Sequence, residues 1–171
     1  MEAEIKVKSD NYIQLKENED ILKLRIRDEE GNDTGEMLVF DLEDIELPMK
    51  LMKMQEQDKR NRTELQNQFI IIDKKQDHKE KKLFSAKEEA KIKAMQDFYK
   101  KEVEVYNMFL GKNGVEKLLN GRALSWSTLE EIDEIIEQCI LPKLEISAEN
   151  IKKKITKKYS KKSNKEGNII E

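Results

Sequence analysis

The sequence predicts an α+β fold that is predominantly α, in which an N-terminal β-hairpin or small antiparallel sheet precedes a helical body of about four to five helices. Apolar residues alternate with polar ones in the segment 4–42, which is typical of half-buried strands. After Pro48 they recur every three or four residues, which is typical of amphipathic helices. Charged residues make up 40% of the 171 residues and hydrophobic residues 37%, a balance that suits long helices with one solvated face.

The N-terminal segment contains two strand patterns around a turn-rich loop. Leu22, Leu24 and Ile26 occupy alternate positions and would share one face of a strand. Residues 28–35 (DEEGNDTG) predict a loop and residues 37–40 a returning strand, so together they predict a hairpin. Because a lone hairpin is marginal in water, we expect a third strand from residues 4–8 or 12–16, or cover by helices.

The first helical pattern runs from Pro48 to about His78. Its middle, residues 55–64, is almost entirely polar, so we expect that helix to be exposed or interrupted there. Met49, Met52 and Met54 near its start would form either an adaptable apolar surface or part of the core.

A hinge is predicted at residues 76–82, followed by a second long helix. Ser85 and Glu88 form a capping box, in which hydroxyl and carboxylate bond to free amide donors. We expect this helix to break at Gly111. A short helix would then start near Gly114 and stop at Gly121, because glycine adopts positive φ without a Cβ clash.

Ser127 and Glu130 form a second capping-box pattern, and Trp126 just before it would staple onto the following turn. The helix behind this box carries an apolar stripe on which Cys139 is expected as a small core residue. Pro142 is predicted to end the helix, because proline cannot continue the hydrogen-bond ladder.

Ser147 is predicted to cap a last helix that runs through about Tyr159 and continues as a frayed tail. The pattern thus divides the chain into four regions. They are a hairpin or small sheet (1–47), a helix and hinge (48–82), a helical core domain (83–146), and a lysine-rich helix with a flexible tail (147–171).

The composition argues against a catalytic or metal-binding site. One histidine and one cysteine, far apart, predict no metal site, no disulfide and no catalytic centre, and we expect no cofactor. His78 lies in a charged segment and is expected to be exposed. The net charge of −3 makes nucleic acid an unlikely partner for the whole chain. No apolar run approaches a membrane span and the N-terminus has no apolar signal region, so we expect a cytosolic protein.

Lysines are concentrated near the C-terminus. This candidate basic patch would bind phosphate or an acidic partner, whereas the plainer interpretation is a solubilising tail. The lysines are Lys152, Lys153, Lys154, Lys157, Lys158, Lys161 and Lys162.

The segment 106–122, YNMFLGKNGVEKLLNGR, crowds aromatics, aliphatics and glycines into an otherwise charged chain. With the aromatic residue, acidic amphipathic helix and Ile-Leu-Pro-Lys sequence that follow, it resembles a segment of the tail assembly chaperones of long-tailed bacteriophages. The resemblance covers roughly residues 85–146. The order of elements, an N-terminal hairpin, a helical body and a charged C-terminus, is also similar.

The resemblance implies a protein that is not an enzyme. Such chaperones bind the tape measure protein, a long helical chain with exposed apolar faces, and keep it soluble while tail tube protein polymerises around it. They act in the bacterial cytoplasm and are absent from the finished virion. Contact with the tail tube protein and self-association are further expectations. Under this hypothesis the candidate partner-binding residues are Phe109, Leu110, Val115, Leu118 and Trp126.

Two other interpretations stay open. The chain could be a small regulatory or nucleic-acid-associated phage protein that uses its lysine-rich C-terminus. It could also be a structural component of the tail itself.

Overall fold

The computed structural model describes residues 6–7, 13–14, 20–78 and 83–166 of the chain. Within these residues it has two separate two-stranded antiparallel sheets followed by helices, which confirms the predicted α+β, mostly α, fold class. The strands are β1 (Lys6–Val7), β2 (Ile13–Gln14), β3 (Ile21–Arg27) and β4 (Asp33–Asp41). The helices are α1 (Glu46–Asp73), α2 (Ala86–Leu110), α3 (Gly114–Leu119), α4 (Trp126–Ile135) and α5 (Leu141–Glu166), with a π-helical segment (Ile136–Ile140) between α4 and α5.

The hairpin of β3 and β4 packs one face against the helices. Leu24 pairs with Leu38 in the register, and the neighbouring Ile26 and Phe40 are buried on the same side. The Phe40 ring centroid lies 5.5 Å from that of Phe109 in α2. Helices therefore provide the cover that the hairpin needs, while β1 pairs with β2 and not with β3 or β4.

The turn between β3 and β4 is shorter than the sequence predicts. The Asp28 carboxylate accepts hydrogen bonds from the backbone amides of Glu30 and Asn32 at 3.0 and 2.8 Å. Gly31 supplies the positive φ of 85° that the turn requires. Because these bonds close the turn by Asn32, β4 begins at Asp33, inside the segment that was predicted to be a loop.

Helices α1 and α2 form an antiparallel helical hairpin. α1 is not interrupted in its polar middle, and that middle is not simply exposed, because Asn61 is only 4% exposed against α2. At the far end, Lys91 of α2 forms an ion pair with Asp73 of α1 at 2.6 Å. The predicted hinge lies here, with residues 79–82 outside the described part of the chain.

The start of α2 and the corner after its end follow the prediction closely. The capping box of Ser85 and Glu88 is present, and α2 ends at Gly111, which has a φ of 93°. α3 begins at Gly114, where a Cβ atom would lie 2.5 Å from the Cβ of Leu110. Only glycine therefore allows α3 to fold back so tightly onto the end of α2.

The N-cap of α4 was predicted at the wrong serine. The cap is Ser125, whose hydroxyl accepts from the Thr128 amide, while Thr128 Oγ1 accepts from the Ser125 amide at 2.8 Å. A threonine thus fills the place that the prediction gave to Glu130. Trp126 is consequently the first residue of the helix and not a staple before it.

The predicted helix end at Pro142 is also wrong. Residues 136–140 form a π-helical turn, in which the amide of Leu141 bonds to the carbonyl of Ile136, and α5 continues from there. The wider turn gives the proline ring room where it would otherwise meet the carbonyl four residues earlier. It also keeps Ile136 and Ile140 in the core and turns Cys139 outward, so the predicted core cysteine is exposed.

Ser147 lies inside α5 and does not cap a helix. Its hydroxyl oxygen lies 2.8 Å from both the Leu42 carbonyl and an Asp20 carboxylate oxygen, so it ties α5 to the base of the hairpin. α5 runs on to Glu166, beyond the helix end predicted near Tyr159, and residues 167–171 are outside the described part of the chain.

Candidate functional site

Polar side chains from three helices meet between α1, α2 and α4. Sequence reasoning missed this group, because its members are far apart in the chain and the polar stretch of α1 resembled a solvated helix face. We call the group the polar cluster. Its members are Asp58, Asn61, Arg62, Glu102, Tyr106 and Asp133.

Glu102 is the most buried member of the polar cluster, with no exposed surface. Its Oε1 accepts a hydrogen bond from Asn61 Nδ2 at 2.6 Å, and Gln57 in turn donates to Asn61 Oδ1 at 3.0 Å. Its Oε2 has no donor among the described residues. Burial, reinforced by the neighbouring Asp58 carboxylate, raises the pKa of Glu102 to about 8 against the opposing effects of Asn61 and Arg62.

Arg62 is the cation of the polar cluster. Its Nε donates to Asp58 Oδ1 at 2.7 Å and one terminal nitrogen to Asp133 Oδ2 at 3.2 Å. The guanidinium carbon also lies 4.8 Å from the Trp126 ring centroid, within the range of a cation–π contact. Arg62 of α1 therefore contacts two residues of α4, Asp133 and Trp126, in addition to Asp58 one turn earlier on α1.

Tyr106 completes the link between α2 and α4. Its hydroxyl donates to Asp133 Oδ1 at 2.5 Å, a length typical of a hydroxyl bonded to a carboxylate. Burial, and then the Asp133 carboxylate, raise the pKa of Tyr106, so the phenol stays neutral. Burial also raises the pKa of Asp133, despite the bond from Tyr106 and the positive charge of Arg62.

The space beside the polar cluster is small. A cavity of about 10 Å³ lies between α1 and α2, next to Asn61, Leu65 and Phe98, and has room for at most one water molecule. Among the described residues no group of three or more His, Cys, Asp or Glu side chains could hold a metal ion. The arrangement is suited to holding three helices together.

The structure separates the candidate partner-binding residues into two sets. Phe109, Leu110 and Val115 are buried in the core of the chain, and Leu118 is half-buried. A partner could reach the first three only if the core opened. Trp126 is 42% exposed, although its indole donates to the Glu130 carboxylate at 2.9 Å and stacks on Phe98.

A second feature that the sequence analysis missed is the free end of the α1–α2 hairpin. Large apolar side chains stand exposed there, on the last turns of α1, just before the cap of α2 and on its first turns. We call this surface the apolar tip. Its residues are Ile70, Ile71, Leu83, Phe84 and Ile92. The signal was present in the run Phe69-Ile-Ile-Ile72, since four consecutive apolar residues on a helix cannot all face one core.

The N-terminal part of α1 has a smaller exposed apolar stripe. Ile45, Met49 and Met52 are exposed at helical spacing, while Met54 is buried in the core. Core packing therefore applies to Met54, whereas an adaptable surface stays a prediction for the exposed Met49 and Met52.

The basic patch lies on α5. Lys152, Lys153, Lys154, Lys157 and Lys158 are exposed, and Lys154 approaches Glu43 at 3.9 Å. The side chains of Lys161 and Lys162 lie outside the described residues. His78 is exposed, as predicted.

We compared the chain with family models, with curated proteins and with solved structures, and none of them matches. In the described part of the chain, no helix has both the length and the apolar character needed to cross a membrane.

Proposed function

We propose that this protein is a non-catalytic bacteriophage tail assembly chaperone. It binds the tape measure protein in the host cytoplasm and keeps it soluble while the tail tube assembles. The apolar tip is the observation that carries this proposal, and the resemblance of residues 85–146 supports the tape measure protein as the client.

The apolar tip has the character of a binding surface for helices. Leu83 is 84% exposed and Ile71 57%, so a partner would remove much apolar area from water at this end of the hairpin. Charged side chains at its edge, among them the ion-paired Asp73 and Lys91, form a polar rim. A client helix with an apolar stripe would match this surface.

Most apolar side chains of the segment 106–122, which carries the resemblance, are buried in the core, so they bear on the fold of the chaperone more than on its binding surface. We therefore assign the client contact to the apolar tip, with the stripe of Ile45, Met49 and Met52 as a second contact. Small surfaces of this kind bind weakly one at a time. Many copies that associate with one another along one long client would hold it by avidity and still be displaced by tube subunits.

Co-expression with the tape measure gene of the same phage tests the proposal. We expect the soluble fraction of the tape measure protein to rise severalfold when this chain is present. Ile71→Glu, which places a charge in the apolar tip, should abolish most of that gain. The measurement is the client band in soluble and pelleted fractions, together with its co-purification on this chain.

Ile155→Glu is the matched control, because Ile155 is an isoleucine of α5 with similar exposure, 52%, outside the apolar tip. It should leave the gain in solubility unchanged. A tape measure protein that is equally soluble with and without this chain would sink the proposal. Abundant copies of this chain in purified virions would favour the structural tail component instead.

A regulatory or nucleic-acid-associated protein is the second candidate, and the exposed lysines of α5 favour it. If this function holds, low-salt binding to DNA or RNA should weaken steeply as salt rises, because phosphate contacts release counterions. Removal of residues 151–171 should abolish the binding in an electrophoretic mobility assay. The absence of any shift at low salt would exclude it.

A further inference from the structure

The buried Glu102 has an unresolved hydrogen-bonding requirement. Its Oε1 is bonded to Asn61, but Oε2 has no donor among the described residues. An ionised carboxylate accepts hydrogen bonds and donates none, so it would leave this oxygen buried and unpaired at a large cost. A proton on Oε2 turns the same oxygen into a donor, and the Asp58 carboxylate is the neighbouring acceptor.

The charges around Glu102 favour the same state. Asp58 and Arg62 face it from α1, Asp133 reaches the cluster from α4, and Tyr106 on α2 is neutral. An ionised Glu102 would place three carboxylates around one guanidinium. Lys101, which precedes Glu102 in the chain, does not offset this excess of negative charge. It pairs with the exposed Glu64 at 3.1 Å on the outer side of the α1–α2 hairpin.

We propose that Glu102 and Asp58 share one proton in the folded protein at neutral pH, and that loss of this proton loosens the packing of α1 against α2. The pair is thus a pH-sensitive latch within the helical hairpin. Asp58 stays bonded to Arg62 and accepts a hydrogen bond from the protonated Glu102 Oε2. When hydroxide removes that proton, the two carboxylates repel each other across the α1–α2 interface. This inference does not depend on the proposed chaperone function.

The sign of the pH dependence follows from the raised pKa of Glu102. In the unfolded chain this carboxyl loses its proton near its ordinary pKa of 4.5, whereas the folded protein retains the proton until about pH 8. Between these values the folded state binds one more proton than the unfolded state. The contribution of Glu102 to stability is therefore largest below pH 4.5. Above that pH, the unfolding constant rises about tenfold per pH unit until the pKa of Glu102 in the folded protein is reached.

Urea unfolding of the full chain between pH 5 and 9 tests the latch. Glu102→Gln mimics the protonated state, since its amide can accept from Asn61 and donate to Asp58. We expect the ratio of the wild-type unfolding constant to that of E102Q to rise about a hundredfold or more over this range. Glu104→Gln is the matched control, because Glu104 is an exposed glutamate on the same helix, and its profile should follow that of the wild type.

A carbon-13 NMR titration of the glutamate carboxyl groups makes the test independent of whether E102Q folds. In the unmodified protein, the Glu102 signal should titrate far above the other glutamates, and Asp58→Asn should move its midpoint downward. Titration of Glu102 in the ordinary carboxyl range would overturn the proposal, as would parallel pH profiles for wild type and E102Q. An unchanged midpoint in D58N would show that burial alone, without a shared proton, holds Glu102 neutral.

Discussion

Replacing Arg62 with alanine is expected to lower the free energy of unfolding by about 3 kcal/mol, which is near the lower end for breaking a buried ion pair. The change removes the only guanidinium from the polar cluster and leaves Asp58 and Asp133 as half-buried carboxylates without their cation. It also removes the contact with the Trp126 ring. Because the Arg62 side chain is 28% exposed, water can solvate part of what is lost. Urea unfolding at pH 7 measures the difference.

The control is Arg60→Ala, two positions earlier on α1, where the side chain is exposed. This variant should differ from wild type by less than about 0.5 kcal/mol. Arg62→Lys should recover only part of the loss, since an ammonium cannot bridge two carboxylates and lie flat on an indole at once. If R62A and R60A prove equally stable, the polar cluster contributes nothing to holding α1 against α4.

The second large effect is expected at the π-helical segment. Ile140→Ala should cost about 3 kcal/mol, because Ile140 has no exposed surface and its truncation leaves a cavity among well-packed neighbours. Its neighbour Cys139 is exposed, so Cys139→Ala should be neutral within about 0.5 kcal/mol. Thermal or urea unfolding of the two variants, compared at one pH, gives both values.

This pair of variants also tests the helical register. A regular α-helix ending at Pro142, as the sequence predicts, would keep both side chains on the core stripe, and both substitutions would then destabilise. Equal costs at the two positions would contradict the wider turn. A cost at Ile140 alone is the result that the π-helical geometry requires.

The sequence was sufficient for the elements that local chemistry specifies. The capping box at Ser85, the break at Gly111 and the start of α3 at Gly114 depend on residues within a few positions of each other, and all three were predicted. The N-cap of α4 was misplaced because two serines compete, and Thr128 completes the box of Ser125 as well as a glutamate would. Local rules cannot choose between such neighbours when the packing of the following helix decides.

The polar cluster could not be read from the sequence for a different reason. Asn61 and Glu102 meet at 2.6 Å although they lie 41 positions apart. Each alone resembles a solvated residue on a charged helix, and only the pairing of α1 with α2 makes them buried partners. The apolar character of Phe109, Leu110 and Val115 made them candidate partner-binding residues, but it marks core positions. The exposed apolar tip lies outside the segment 106–122.

The π-helical segment has a consequence for deletions in the chain. Its turn holds one residue more than a regular α-helical turn and yet does not end the helix. Deleting one residue between Ile136 and Ile140 would remove the extra residue and restore a regular α-helical turn, so Ser147 would still face Leu42 and Asp20. Deleting one residue from the regular part of α5 before Ser147 would instead rotate everything after it by about 100° around the helix axis. The chain should therefore tolerate a one-residue deletion in these five residues more readily than in the first turns of α5.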